Sequence, residues 1–544
     1  MKVDNSTFSA QYGRNSGAIV NIVTRSGANS PSGELFEFLR DEALDARNFF
    51  NFFSDEPEPF SRHQFGGSVG GPLIRNRTFF FAAYEGIRQR QHLDLNSLVL
   101  SDAERASTRN PQVMELLQFI PRANLVDEQG TARFVGSALA PFDADQASLD
   151  VTDGIGQNAH LHGYYWYNRV QRREPTLQGN TIPGFGDIRR RRRHVLTTNE
   201  TRVLSPTLVN EARFGFARNA GAAAPTVLLN PTQLGFAIGV DEPIGLPQIS
   251  VGGGLNFGGP ANFLTSRTGT TFTVSDMLSH QRTRHALRFG GEYRRYTNES
   301  YTKDAGRFNF PTVADFVAGT ANAFSVMLGD RHAQITQSAL GLFLQDQYSL
   351  RPNLTLDLGV RYDWNVTPTE REDRFVVFDQ ATASLVRVGT DIEAIYQQND
   401  WNVQPRVGVV WDPSRTGRTA VRAAYGVYVN QPTTNLVTGA TANPPLVTPL
   451  SYSGPVGLDT AGRLAGTTGL APFTVDPNFT NATTQSWNVN VQAEALRNVA
   501  VMVGYFGSRG SQLRITRNLN QPTNGVRPFS SLSPSSPILP RRPQ

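Results

Sequence analysis

The stretch NLTLDLGVRYDW, residues 353–364, alternates apolar and polar positions with a period of two. Successive side chains of a β-strand point to opposite faces of the sheet, so the pattern predicts a strand with one apolar and one polar face. The period leaves open whether the apolar face packs on a soluble core or faces lipid on the outside of a barrel. The apolar row is Leu354, Leu356, Leu358, Val360, Tyr362 and Trp364, and the polar row between them is Thr355, Asp357, Gly359, Arg361 and Asp363.

The same alternation recurs along the chain in pairs of segments that are joined by short polar turns. QPRVGVVWD (404–412), for example, meets RTAVRAAYGVYVN (418–430) across PSRTG, and TVSDMLSHQ (273–281) meets HALRFGGEYRRY (285–296) across RTR. Such pairs predict β-hairpins. The chain holds about seven of them, and GELFEFLRD (33–41) adds an unpaired strand, which predicts about fifteen strands.

The segments between the hairpins are far longer than the turns, at roughly 20 to 60 residues against about two to five. Soluble β-sandwiches and propellers lack this alternation, whereas outer-membrane barrels combine short periplasmic turns with long extracellular loops. Strands of about 9 to 13 residues also suit a bilayer, which roughly 9 to 11 tilted residues cross. The pattern favours a membrane barrel. The long segments run near 41–61, 89–146, 171–193, 219–267, 298–337, 367–401 and 431–482.

In such a barrel the apolar rows face lipid and the polar rows line the lumen. Aromatic residues near strand ends fit the girdles at the two membrane interfaces: Tyr362, Trp364, Trp411, Tyr428, Trp487 and Tyr505. Charges of both signs in a wide lumen are expected to hold water and to bond a plug. The predicted lumen row includes Asp357, Arg361, Arg422, Arg288, Glu292, Arg294, Asn488, Asn490, Gln492 and Glu494.

Composition narrows the class of protein further. The 544 residues are 39% hydrophobic, and no apolar run approaches the roughly 18 residues of a membrane-spanning helix. The absence of cysteine excludes disulfides and thiolate metal sites. The net charge of +5 comes almost wholly from dispersed arginine, which is not the concentrated patch of a nucleic-acid-binding protein. The exception is the run Arg189 to His194, for which the sequence favours a solvated strand end over a phosphate grip.

No catalytic or metal-binding constellation stands out, so the sequence predicts no enzyme, no cofactor and no metal. His160 and His162 share one strand face, but a lumen-facing polar pair explains them better than a metal site without a third ligand. GGSVGG (66–71) lies in a predicted strand with no helix after it, unlike a phosphate-binding loop. Carboxylates on polar faces are too many to single out an acid–base pair, even Asp363, Asp412 and Glu292.

Several long strings resemble the Oar-like group of TonB-dependent outer-membrane transporters. FSAQYGRNSGAIVNIVTRSGANSPSGELFEFLRDEALDARNFFN and RHQFGGSVGGPLIRNRTFFFAAYEGIRQ are similar to the junction between plug and barrel. FLQDQYSLRPNLTLDLGVRYDW, QPRVGVVWDP, VRAAYGVYVN and VMVGYFGSRGSQL resemble that group's barrel strands, in the same order. The resemblance covers residues 1 to about 520.

The resemblance implies three parts of the chain: residues 1–30 as the C-terminal remnant of a plug domain, 31–510 as an incomplete receptor-like barrel, and 511–544 as an unfinished Pro/Ser-rich loop. The family barrel has 22 strands, and a signal peptide, a TonB-contacting segment and most of the plug precede the YGRNSG string. We therefore expect a fragment. We expect its first and last strands either to be sheet edges or to be forced into a smaller closed barrel.

The resemblance implies outer-membrane uptake of a substrate, driven by the TonB complex, with outer-membrane lipid and lipopolysaccharide as neighbours. The substrate stays open between small-molecule, glycan and peptide ligands. An adhesion or structural barrel without transport is the main alternative, and a soluble multi-domain β protein is a weaker one. Partitioning into detergent would separate the soluble alternative from the two barrels.

Overall fold

Fifteen antiparallel strands form a barrel in the computed structural model, which describes residues 2–5, 7–46, 57–176, 179–259, 264–463, 472–497, 499–530 and 539–543. Each strand pairs with the next one along the chain, from β1 with β2 to β14 with β15. The predicted all-β barrel is confirmed. The strands are β1 Ser32–Asp41, β2 Phe60–Ile74, β3 Thr78–Leu98, β4 Phe142–Ile155, β5 Ala159–Glu174, β6 Asp187–Ser205, β7 Leu208–Pro225, β8 Thr265–Arg282, β9 His285–Thr302, β10 Ala333–Arg351, β11 Leu354–Asn365, β12 Val403–Trp411, β13 Thr419–Val429, β14 Thr483–Leu496 and β15 Val499–Ser511.

Short and long connections alternate strictly around this wall. The short ones are 75–77, 156–158, 206–207, 283–284, 352–353, 412–418 and 497–498, and they close the seven predicted hairpins. The long ones range from 175–186 to 430–482. Because outer-membrane barrels keep their long loops outside the cell, we take the long-loop end as the outer end.

The two faces of β11 differ as the sequence pattern predicts. Leu358 and Val360 are 44% and 42% exposed on the outside of the barrel, while Arg361 and Asp363 are each 2% exposed inside it. Directly paired residues of neighbouring strands share a face, so the same division extends along the sheet, where Leu342 and Leu344 of β10 lie beside the apolar row of β11. The apolar rows therefore face outward.

Several strands are longer than predicted, because they continue past the membrane into regions that the sequence assigned to loops. β3 has 21 residues, about twice the roughly 10 that cross a bilayer. β6 begins at Asp187, so the arginine run lies within a strand and not in the predicted connection 171–193. Backbone pairing with β5 and β7 supports these extensions, even where every side chain is charged.

The long connections pack into folded structure at the outer end, which the sequence did not predict. A five-stranded sheet has the order Leu255–Phe257, Gln248–Val251, Arg307–Phe310, Thr320–Gly329 and Val447–Gly457. Its phenylalanines, including Phe257, Phe308 and Phe324, form a buried core with the helices Pro111–Leu116 and Val313–Ala318, whereas the helix Asp102–Ser107 buries no residue. A second core contains Phe375, Val437 and Tyr396, and burial raises the pKa of the Tyr396 phenol.

The remaining elements are short. The strands are Lys2–Asn5, Ala18–Asn21, Leu125–Val126, Ala132–Leu139, Thr369–Glu370, Val376–Asp379, Ser384–Arg387, Phe473–Val475, Arg514–Thr516 and Leu539–Pro543. The 3-10 turns are Glu42–Leu44, Leu117–Phe119, Pro231–Leu234, Thr434–Leu436, Thr438–Ala442 and Ala461–Arg463. Residues 531–538 of the Pro/Ser-rich end lie outside the described residues. Among the described helices, none has the length and apolar character needed to span a bilayer.

The strand order is circular and leads from β15 back to β1, but among the described residues no ladder joins these two strands, which are exposed like the two sheet edges of the first expected arrangement. This junction, called the seam below, differs from the others. The described residues give a paired register for every consecutive pair of barrel strands but none across the seam. β1 and β15 are also exposed over almost their whole lengths. Closure is therefore weakest at the seam.

We predict that backbone amides of β1 and β15 exchange hydrogen faster than those of β8 and β9, whose ladder runs without a break from Thr265 to Arg282. Hydrogen-exchange mass spectrometry on the detergent-solubilised protein measures this difference. Equal protection of the seam strands and the β8–β9 pair would show that the seam is a full ladder.

Candidate functional site

Residues 7–16, called the interior segment below, lie against the inner wall of the barrel. Two arginines of the wall bind its backbone. Arg361 Nη1 donates to the carbonyl oxygens of Ala10 at 3.4 Å and Gln11 at 3.3 Å. Arg406 Nη1 donates to the carbonyl of Phe8 at 3.0 Å and also to that of Ser9. The wall thereby satisfies backbone carbonyls that carry no secondary structure of their own.

An aromatic contact fixes one end of the interior segment. The rings of Phe8 and Tyr428 have centroids 4.7 Å apart. The Arg406 guanidinium lies over both rings, 5.1 Å from the Phe8 centroid and 4.5 Å from the Tyr428 centroid. A cation over an aromatic face is stabilising, and more so where water is excluded. Phe8 is the one large apolar side chain that the described part of the interior segment buries.

Arg361 itself is held by a buried polar network. Its Nε donates to Asp363 Oδ1 at 2.8 Å, and Gln404 Nε2 donates to Asp363 Oδ2 at 2.7 Å. Gln404 Oε1 in turn accepts from the backbone N–H of Val429 at 3.1 Å. A buried carboxylate needs such pairing, because an uncompensated charge away from water is strongly unfavourable. The network fixes the guanidinium that binds the interior segment.

Neutral amide side chains make further contacts. Gln345 Oε1 accepts from the backbone N–H of Ala10 at 2.7 Å and from the Ser9 hydroxyl. Asn488 Nδ2 donates to Thr7 Oγ1 at 2.6 Å. The wall therefore binds the interior segment through amide groups as well as guanidinium groups.

The far end of the interior segment is held by an ion pair and an amide. Arg14 Nη2 lies 2.9 Å from Glu292 Oε1 of β9, with both side chains about one-quarter exposed. Asn430 Nδ2 donates to Ser16 Oγ at 3.0 Å. Apart from Phe8, these contacts are hydrogen bonds and ion pairs, which water can replace.

Close approach explains the glycine in the interior segment. A Cβ atom on Gly13 would lie 2.0 Å from Arg361 Nε and 2.5 Å from its Cζ. Arg361 cannot easily give way, because its guanidinium is buried and paired. Only glycine lets the segment pass the wall at this distance.

The candidate acid–base carboxylates are separated and individually paired. Asp363 pairs with Arg361 and Glu292 with Arg14, whereas Asp412 lies in the turn between β12 and β13. The Ser414 hydroxyl and the backbone N–H of Gly417 hold the pKa of Asp412 below its usual range. The structure therefore brings none of these carboxylates together as a catalytic pair.

The histidine pair of β5 lies on the inner face, where His162 Nε2 is 2.8 Å from Asp150 Oδ2 and Thr24 Oγ1 donates to the same oxygen. Within the described residues, no group of three or more potential ligands could hold a metal ion. GGSVGG lies inside β2, as predicted.

The predicted lumen row is largely where the sequence placed it. Arg361, Glu292 and Asn488 contact the interior segment. Asp357 accepts from Gln345, Asn490 donates to Asn488, Arg422 donates to Gln492, and Glu494 pairs with Arg418. Arg288 and Arg294 share the inner face of β9 with Glu292.

One girdle assignment is wrong. Tyr428 does not face the membrane interface but is 1% exposed inside the barrel, against Phe8 and Arg406. The alternation on β13 predicts this inward position, because Tyr428 shares its strand face with the lumen residue Arg422 and not with Tyr425. Arg406 and Gln404, which the sequence did not single out, carry much of the site.

A profile described as "Outer membrane beta barrel domain" matches residues 23–544. The chain belongs to the outer membrane beta barrel family. Membership confirms the predicted location in the outer membrane and removes the soluble multi-domain alternative.

A curated relative supports the Oar-like resemblance within this family. TonB-dependent transporter Oar of Myxococcus xanthus is 20% identical over 503 residues, covering 79% of this chain and 44% of that protein. The predicted likeness to Oar-like TonB-dependent transporters is confirmed. The chain spans less than half the length of this curated relative.

Solved structures share the fold of this family member. The outer-membrane transporter YddB of Escherichia coli superposes with a TM-score of 0.58 at 10% identity, over 99% of this chain and 58% of that one. A mutant of the ferric enterobactin receptor PfeA of Pseudomonas aeruginosa gives 0.53 at 11% identity, over 99% and 62%. Identities this low support the fold alone.

We predict that Arg361→Met releases the interior segment from the wall. The change removes the donor to the carbonyl oxygens of Ala10 and Gln11 and leaves Asp363 buried without its cation. Loss of a buried ion-pair partner lowers the free energy of unfolding by about 3–5 kcal/mol. Trypsin should then cleave after Arg14 faster than in the parent protein. Arg422→Met is the matched control, since Arg422 lies on the same inner face and its described hydrogen bond goes to Gln492. Equal cleavage rates in both variants would contradict the assigned role of Arg361.

Proposed function

We propose that this chain is part of a TonB-dependent outer-membrane transporter that imports a substrate, with no enzymatic activity. Residues 1–30 act as the C-terminal stretch of a plug, 31–510 as the barrel, and 511–544 as part of an outer loop. The observation that carries the proposal is the way the wall binds the interior segment. Its contacts are mostly hydrogen bonds and ion pairs in a polar lumen, so the segment is held firmly but separates from the wall without exposing a large apolar core.

Import through such a barrel requires an external force on the plug, because the interior segment is hydrogen-bonded to the inner wall at rest. In the proposal, the TonB complex of the inner membrane supplies that force through plug sequence outside this chain, and the substrate enters from the outer end. The ligand is a small molecule, a glycan or a peptide. No nucleic acid takes part, since the arginines are spread over both faces of the wall.

Outer-membrane lipid and lipopolysaccharide are the proposed surroundings of the wall. The outward residues of β6 support this arrangement near the outer end. A 2.8 Å hydrogen bond joins the Tyr165 hydroxyl to His194 Nδ1. Tyr165 forms part of an aromatic belt at the membrane interface. Arg190 and Arg192 lie on the same outward face, closer to the outer end and exposed, where phosphate groups of an outer leaflet would meet them.

An adhesion or structural barrel is the second candidate, and the folded outer loops favour it. The buried core under Phe308 and Phe324 gives the loops a fixed surface, which an adhesin needs. An adhesin does not need a removable interior segment. Energy-dependent exposure of that segment therefore separates the two functions.

We predict that Ala10→Cys reacts with a membrane-impermeant maleimide only in energised cells. Ala10 is fully buried against the wall at rest, and the chain contains no cysteine of its own. The experiment uses the complete protein in cells with a working or a collapsed proton gradient. Gln129→Cys, on an exposed outer loop, is the control and should react in both states.

A second pair of variants tests whether the movement is required. A Cβ on Gly359 would lie 3.0 Å from Ala10 Cβ, so Ala10→Cys with Gly359→Cys can form a disulfide with a small adjustment. Oxidation should lock the segment and abolish substrate uptake. Gly408→Cys with Ala424→Cys, where the Cβ distance is 3.9 Å within the wall, should leave uptake unchanged. Maleimide labelling of Ala10→Cys that ignores the proton gradient would favour the adhesion barrel.

A further inference from the structure

Residues of five neighbouring strands, β5 to β9, line a cavity of about 330 Å³ on the inner wall near the outer end. The cavity lies between β5 and β9, away from the strands that bind Phe8 and Ala10. An adjoining cavity of about 510 Å³ shares Arg191, Arg193 and Arg267 with it. The lining side chains used below are Trp166, Arg191, Arg193, Arg267, Tyr296 and Asn298.

Strand register places these side chains on the inner face. Asn298 and Tyr296 stand six and four residues beyond Glu292 on β9, and an even spacing along a strand keeps one face. Glu292 points inward, because it pairs with Arg14 of the interior segment. The inner face continues across β8 and β7 to β6, since Gly269 pairs with Asn298.

The same register carries the inner face onto the arginines. Arg267 lies opposite Gly221, and Gly221 lies opposite Arg191. Asn219 lies opposite Arg193 in the same way. Glycine has no side chain, so Gly221 leaves space between Arg191 and Arg267.

The cations in this cavity are not neutralised by the described part of the protein. The nearby Arg172 and Arg189 pair with Glu174 and Asp187. In contrast, the ion pairs and hydrogen bonds of the described residues include none from the side chains of Arg191, Arg193 or Arg267. Three guanidinium groups of the described residues therefore line one cavity with donors that no described side chain uses.

A buried amide marks the same place. Asn298 is 1% exposed, yet neither its Nδ2 nor its Oδ1 has a hydrogen-bond partner among the described residues. A buried polar group without a partner is unfavourable by about 1–3 kcal/mol unless something else satisfies it. Its position on the cavity lining indicates that the partner is a ligand or ordered water in the cavity.

We propose that this cavity binds a small polyanion that carries carboxylate or phosphate groups, which deepens the proposed import function by naming the class of substrate. Planar guanidinium forks bind such oxygens in pairs. Asn298 offers both a donor and an acceptor to the ligand's uncharged part. Trp166 and Tyr296 supply flat apolar walls that orient it. The cavity lies near the outer entrance, before the interior segment along the path of import.

Alternation within one strand supplies a matched control. Arg191 and Arg193 face the cavity, whereas Arg190 and Arg192 project from the opposite face of the same strand. The double variants Arg191→Gln/Arg193→Gln and Arg190→Gln/Arg192→Gln remove the same charge from the same segment. Only the first pair removes donors from the 330 Å³ cavity, although Arg190 borders the adjoining one.

Isothermal titration calorimetry on the purified, detergent-solubilised protein tests the proposal, with citrate and inorganic triphosphate as probes and glucose as the neutral control. We expect saturable binding of citrate, triphosphate or both, and comparing them distinguishes carboxylate from phosphate chemistry. The inner double variant should weaken binding by about tenfold or more, as the loss of charge-assisted hydrogen bonds predicts. The outer double variant should bind like the parent.

Arg267→Gln gives an independent check on another strand, so the test does not depend on β6 folding normally in the double variant. It should also weaken binding of the probe that the parent protein binds. No saturable binding of either polyanion, or equal weakening by the inner and outer double variants, would overturn the proposal. The titration needs neither TonB nor a proton gradient, so its failure is distinct from a failure of the import function.

Discussion

The whole structure depends on a wall made of a single β-sheet, which separates lipid on the outside from water in the lumen. Lipid outside accepts no hydrogen bonds, so every backbone group in the membrane must pair with a neighbouring strand. Strand pairing then forces side chains to alternate between lipid and lumen. Val360 and Arg361 are adjacent in sequence but lie in opposite environments.

The polar lumen determines how the interior segment is held. An apolar inner wall would bind the interior segment by burying apolar surface. Separating the two would then expose that surface to water, at roughly 25 cal/mol per Å² of apolar area. Here the wall offers guanidinium and amide groups to backbone carbonyls instead. Arg361 and Arg406 can do this because Asp363, Gln404 and Tyr428 hold their guanidinium groups in place. The site therefore combines a rigid wall with contacts that water can replace.

The local features of the barrel could be predicted from sequence, because they depend on alternation and turn chemistry. Residues 353–364 carry enough pattern to fix the strand, its two faces and its place beside β10. Tyr428 shows the limit. Its residue type suggests a membrane girdle, but its position in the alternation turns it inward, and the contact that explains it joins residues 420 apart in the chain. Such contacts leave no local signal. The same holds for the outer core, which joins Phe257 of the connection between β7 and β8 to Phe308 and Phe316 of the connection between β9 and β10.

The central claim is that the apolar row of β11 faces lipid and its polar row faces the lumen. Measuring which residues of β11 contact lipid tests this claim most directly. Single cysteines placed in turn at residues 355–362, in a chain without native cysteine, can carry a spin label whose collisions with lipid-soluble oxygen and with a water-soluble nickel chelate are measured. Oxygen contact should peak at Leu356, Leu358, Val360 and Tyr362, with minima at the residues between them. Uniform contact along the strand, or peaks at Asp357, Gly359 and Arg361, would contradict the account.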